Sequence, residues 1–231
     1  MSRKKRTKIM VTIFCILVAL ISGFTYFAIA DLKQEDILKR EIDTLLRKPI
    51  KDFNSPIKTK GDYGIVEKVI KEYLEDYALT LQEALNIMND DKIQTLLTAK
   101  NYKEDGPEFI NTKNSLEEIK KELDEKVNKL TDMTKPEMIK ANIEDKKLDK
   151  NYITLYNEIF KNIKENYFKN TQKLLKNSSD RDKTRLDVEL EIISFLISSK
   201  NNWSVEEDKI AFKNTEDLNK YNELRGKLKK W

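Results

Sequence analysis

Residues 62–88 read DYGIVEKVIKEYLEDYALTLQEALNIM, and the spacing inside that stretch decides the fold class. Val66, Val69, Ile70, Tyr73, Leu74, Tyr77, Leu81, Ala84, Leu85 and Met88 recur at intervals of three and four. On a 3.6-residue period they share one wide apolar face. Such a face predicts a long helix that packs against others, and the segments on either side supply the partners.

Toward the C-terminus, Ile93, Leu96 and Leu97 predict a short helix from Asp91 to Tyr102, ended by Gly106-Pro107. Leu116, Ile119, Leu123, Val127 and Leu130 mark the next helix, opened by the capping box Ser115-Leu-Glu-Glu118. Its seam covers about two heptads, too few for a free-standing coiled coil, so it calls for a partner within the chain. Thr134-Lys-Pro-Glu137 opens a helix to about Lys146, with Pro136 in the first turn. Tyr152, Tyr156, Ile159, Phe160, Ile163 and Tyr167 form a second long face, which the polar run Lys176 to Asp182 is expected to end. Leu186, Leu190, Ile193 and Ile197, flanked by Phe195 and Leu196, predict the most buried helix of the set.

The period then changes. Trp203 and Val205, followed by Ile210 and Phe212, alternate with polar residues and predict a short β-hairpin; Ser204-Val-Glu-Glu207 as a helix cap is the competing reading. Asn214 or Thr215 then caps a last helix carrying Leu218, Tyr221, Leu224 and Leu228.

Upstream of the opening stretch, Pro49, Pro56 and Gly61 punctuate an aperiodic, Lys-rich segment that reads as a linker able to extend at most roughly 45 Å. Asp31 to Lys48, with Leu32, Leu38, Ile42, Leu45 and Leu46 at helical spacing, reads as a stalk. Before it lie 22 uncharged residues, Ile9 to Ala30. As a helix they span roughly 33 Å, enough to cross a hydrocarbon core of about 30 Å. Arg3, Lys4, Lys5, Arg6 and Lys8 precede them without an acidic residue, and the positive-inside rule keeps that cluster cytoplasmic. The competing reading is a signal peptide cleaved after Ala28-Ile29-Ala30. Either way, residue 31 onward is expected outside the cytoplasm.

Charge follows the same division. The 231-residue chain has a formal net charge of +4. The first 30 residues hold five bases and no acid, so residues 31–231 carry 39 bases and 40 acids, a net of −1. The basic pI is a property of the N-terminal tail and gives no reason to expect nucleic-acid binding by the main domain. There is no histidine, which excludes His-based acid/base and nucleophile chemistry and removes the commonest transition-metal ligand. The single cysteine, Cys15, lies in the uncharged run, so no intramolecular disulfide forms. High Lys, Asn and Ile against seven Arg resembles the bias of an AT-rich, bacterial genome.

Few patterns suggest chemistry. Asp90-Asp91 and Asp180-Arg-Asp182 are acidic clusters in expected loops, but neither completes an EF-hand series, and helix capping is their simpler reading. No Gly-rich phosphate loop is present. The aromatic stripes Tyr73/Tyr77 and Tyr152/Tyr156/Phe160 read as core, with a ligand groove lined by Tyr152, Tyr156 and Trp203 as the sharper alternative. Forty carboxylates leave room for a catalytic pair without pointing to one.

The expected architecture is therefore mainly α: a basic tail (1–8), a transmembrane signal-anchor (9–30), a stalk and linker (31–61), and an extracytoplasmic helical bundle (62–231) with a short C-terminal hairpin. The expected partners are the lipid bilayer and an envelope protein, with no nucleic acid, metal or cofactor. A binding or scaffolding role is the first reading. A carboxylate-based hydrolase of an envelope polymer, or a helical protein secreted after cleavage at Ala30, is the alternative.

Overall fold

The computed structural model describes residues 31–49 and 52–228. The expected membrane segment 9–30 and the basic residues Arg3, Lys4, Lys5, Arg6 and Lys8 lie outside them. Among the described residues no helix is long and apolar enough to cross a membrane.

The protein is mainly helical, with one two-stranded antiparallel hairpin near the C-terminus. The elements in order are α1 (residues 31–46), α2 (Gly61–Met88), α3 (Asp91–Leu96), α4 (Ala99–Asp105), α5 (Ile110–Asp132), α6 (Pro136–Glu144), α7 (Lys150–Ile163), a π-helical turn (Lys164–Phe168), α8 (Lys169–Ser198), β1 (Trp203–Glu206), β2 (Lys209–Phe212) and α9 (Thr215–Leu228). They divide into two compact units, the first taking in residues up to Glu75 together with Lys140–Phe160, the second Asp76–Ile139 and Lys161–Trp231.

Residues 31–61, read above as stalk and linker, belong to the first unit. Leu38, Ile42 and Leu45 of α1 are buried, as is Phe53 beyond it. Apolar residues at helical spacing suit a packed helix as well as a free one, and here they are packed. The aperiodic segment is held by side chains of α2. Glu67 accepts from the backbone N–H of Lys58 (3.0 Å) and Thr59 (2.7 Å) and from the Thr59 hydroxyl (2.7 Å). The Lys71 ammonium donates to the Pro56 carbonyl at 2.7 Å. The boundary expected at residue 62 thus falls inside a packed unit. Edge-to-face pairs Tyr63–Tyr152 (5.0 Å) and Tyr73–Phe160 (5.2 Å) join α2 to α7 within it.

In the second unit α5 finds its partner within the chain, packing on α8. Leu116, Leu123 and Leu130, seven residues apart, are buried. Its start differs from expectation: the helix begins at Ile110, so Ser115 lies inside it. The cap comes from Asp105 at the end of α4, whose carboxylate accepts from the Asn111 (3.3 Å) and Thr112 (2.7 Å) amides and the Thr112 hydroxyl. The helix expected over Asp91–Tyr102 is broken in two, because Thr98 turns extended and caps α4 through Asn101 N–H.

The polar run Lys176 to Asp182 does not end a helix. Helical backbone continues from Lys150 to Ser198, because a run without Gly or Pro tolerates exposed Lys, Asn and Asp, and Ser179 folds its hydroxyl onto the Lys176 carbonyl (3.1 Å). The inward face of its last turns is Leu186, Ile192, Ile193 and Leu196, all buried, while Leu190, Phe195 and Ile197 are partly covered.

The hairpin forms as expected, with Trp203 opposite Phe212 and Val205 opposite Ile210. Its two-residue turn places Glu207 at φ 52°. Asn214 caps α9, its side-chain carbonyl accepting from Asp217 N–H at 2.8 Å. Phe212 lies 5.2 Å from Tyr221 of α9 and 6.3 Å from Phe195 of α8, ring centre to ring centre.

Candidate functional site

The three aromatic residues suggested as a groove go to two different units. Tyr152 and Tyr156 sit on α7 in the first; Trp203 opens β1 in the second. Tyr156 is fully buried, its ring 4.7 Å from Phe160, which suits a core residue and leaves no face for a ligand. Tyr152 is half-buried edge-on to Tyr63. Trp203 stacks on Phe109 (5.7 Å), and its indole N–H donates to the Leu196 carbonyl at 2.7 Å. That bond uses the polar handle of Trp203 to fix the hairpin on α8.

The expected acidic loop Asp180-Arg-Asp182 is in the middle of α8, with Arg181 paired to Asp182 at 3.6 Å, and caps no helix. Asp90 precedes α3. Among the described residues no group of three or more acidic side chains stands placed to hold a metal ion.

Two glutamates are buried, and they differ in company. Glu67 pairs with Lys71 at 2.5 Å, the two 0% and 4% exposed, and takes the hydrogen bonds already described. Burial pushes its carboxyl up, but the bonds from Lys71, Thr59 and the Lys58 amide together outweigh it and hold the carboxyl below its ordinary range. Glu189 on α8 is 2% exposed and, among the described residues, paired only with Arg185, at 3.0 Å through one oxygen, with no hydrogen-bond partner for its Oε2. Burial there dominates the attraction of Arg185 and Arg225 and raises the carboxyl. Nearby lies a pocket of about 10 Å³ lined by Ile87, Ile93, Leu123 and Arg185, room for a single water. Both carboxylates are buried.

An open concavity lies at the π turn. It encloses about 410 Å³ and is lined by Lys161, Lys164, Glu165, Phe168, Lys169 and Gln172. The Lys169 N–H bonds to the Lys164 carbonyl, five residues back. In an α-helix residues five apart stand about 140° apart around the axis, whereas an i→i+5 turn closes at that spacing. The inserted residue therefore brings Lys169 back over Lys164. Lys173 and Lys176 continue the row at α-helical spacing. All five lysines are exposed, and among the described residues none makes an ion pair. Phe168, fully buried against Tyr77 at 4.5 Å, anchors the turn from inside.

No family model, curated protein or solved structure matches this chain.

What the cleft can do follows from its charges. It offers several separate cations on one helical face, with one carboxylate, Glu165, among them. Such a surface binds acidic groups. Residues 161–176 hold five Lys and one acid, a local excess of +4 in a domain whose net charge is −1. That excess was visible in the sequence as a break in the alternation of Lys and Glu. That its members share a face was not, because an α-helical projection separates Lys164 from Lys169.

Proposed function

We propose that this chain is a membrane-tethered binding or scaffolding protein of the bacterial cell envelope, holding its helical units outside the cytoplasm to engage another protein. The observation that carries the reading is the N-terminal arrangement: Arg3, Lys4, Lys5, Arg6 and Lys8 stand directly before the uncharged run Ile9–Ala30, and all acidic residues follow it. Binding is favoured over catalysis by the character of this concavity, which presents several lysine ammonium groups from a single helical face. The chain also has no histidine with which to run proton transfer near neutral pH.

Crosslinking in living cells from the full-length chain, followed by mass spectrometry, tests the role. A reproducible envelope-protein partner is the expected result. Hydrolysis of purified envelope polymer, abolished by one Asp or Glu substitution that leaves the fold intact, overturns it in favour of an enzyme. The mass of the mature chain separates tether from release, since a chain beginning at Asp31 has been cleaved after Ala30.

A further inference from the structure

We infer that the row Lys161, Lys164 and Lys169, continued by Lys173 and Lys176, is the docking surface for an acidic segment of a protein partner. The inference rests on the reading of the chain as a partner-binding protein and names the chemistry of that partner. Three observations carry it. The first is the contrast with α5, whose lysines find acids, as in Lys113–Glu117 (3.8 Å), Lys126–Glu83 (2.7 Å) and Lys129–Asp76 (3.0 Å). Those of residues 161–176 find none among the described residues. The second is alignment, since the π turn costs regular hydrogen bonding and its result is to superpose Lys164 on Lys169. The third is shape, a concavity of about 410 Å³ beside the row.

The same features select among anionic occupants. A lipid surface is flat and takes up apolar side chains next to the basic ones. Here the exposed Leu174 stands roughly 140° around α8 from Lys169, off the row. A phosphate is best held by free backbone N–H groups at a helix start or by the fork of an arginine. The row lies within continuous helix, where backbone N–H groups are used internally, and it contains no Arg. Single-point ammonium groups about one turn apart match carboxylates repeated along a peptide. Gln172 beside them, whose amide nitrogen donates to the Thr134 hydroxyl at 2.6 Å, keeps its carbonyl oxygen for a peptide N–H.

The full-length chain, kept in neutral detergent, is titrated into a fluorescent oligo-glutamate peptide, into inorganic polyphosphate and into vesicles containing phosphatidylglycerol. Expected is saturable, salt-sensitive binding of oligo-glutamate in preference to the other two. The combined Lys161→Glu, Lys164→Glu and Lys169→Glu variant should weaken it about tenfold or more with an unchanged circular-dichroism melt. Reversing Lys100, Lys113 and Lys121, exposed on other helices, should leave it intact. Equal affinity of the two variants overturns the inference, as does a preference for polyphosphate or vesicles. Photo-crosslinking in cells from residue 173 and from residue 113 separates this from the broader reading. A partner caught only from residue 113 refutes the docking surface and leaves partner binding standing, whereas none caught from either position counts against both.

Discussion

At Glu67 and Glu189 the same residue type, buried in two places, has opposite consequences for stability. Glu67 has a depressed carboxyl, so its contribution is complete above the ordinary value of 4.5 and is lost as pH falls through the lower folded value. Replacing it with Gln leaves the nearly buried Lys71 without its close counter-ion. The Glu67→Gln protein should lose about 3 kcal/mol near neutral pH, with a smaller loss in acid, as measured by denaturant unfolding at several pH values. Glu189 has a raised carboxyl, so its contribution is present below 4.5 and lost as pH rises through the folded value. The Glu189→Gln substitution should raise Tm at neutral pH and change it little in acid, because Arg185 keeps 32% of its side chain in solvent and tolerates the loss of its partner. A lower Tm at neutral pH would show that the Arg185 pair outweighs burial.

Gly106 is a different kind of constraint. A Cβ there would come 2.3 Å from the Tyr102 carbonyl and 2.9 Å from the Trp203 ring. The carbonyl belongs to the end of α4 and cannot swing away, so Gly106→Ala should cost about 2 kcal/mol or more in thermal or chemical unfolding. A neutral result would mean that the packing of α4 on the hairpin is looser than these distances.

At the scale of elements the π turn between α7 and α8 is the critical feature. Ile163 and Phe168, five residues apart, are both buried, and the π turn brings them closer to one line than the roughly 140° of a regular α-helix would. Deleting Asn166 removes the inserted residue and rotates Phe168 away from Tyr77. Such a variant should lose at least about 3 kcal/mol, the order of losing a buried Phe outright. Wild-type melting of the deletion would show that the turn is incidental.

Which elements were legible follows from how each is stabilised. The α2 face and the alternation of Trp203–Val205 with Ile210–Phe212 are written in apolar spacing, and both form as read. The caps were harder: Ser115 has the pattern of a capping box, but Asp105 does the capping from the preceding helix, a contact made only once α4 and α5 are folded together. The run Lys176–Asp182 looks like a loop by polarity, yet polarity without a breaker only marks an exposed helix face. The packing of α1 could not be told from a free stalk, because Leu38, Ile42 and Leu45 carry the same spacing in both. Of the suggested groove, Tyr152, Tyr156 and Trp203 were legible as buried or half-buried aromatics. The lysine row was not, since its alignment depends on an insertion with no sequence signature.

At the scale of the whole molecule, charge and packing bear on how a tether would operate. The bases of the first eight residues are segregated from every acid, and the described part of α1, residues 31–46, is packed through Leu38, Ile42 and Leu45. An anchor ending at Ala30 would then hold the first unit close to the bilayer, without the extended reach expected of a free linker. A partner would be met at the membrane surface, where confinement raises its effective concentration. The measurement that bears most directly on this is a topology reporter, active only outside the cytoplasm, fused after Trp231 of the full-length chain. Activity is the result expected of an exported domain; an inactive fusion, with a cytoplasmic reporter active at the same position, would contradict it.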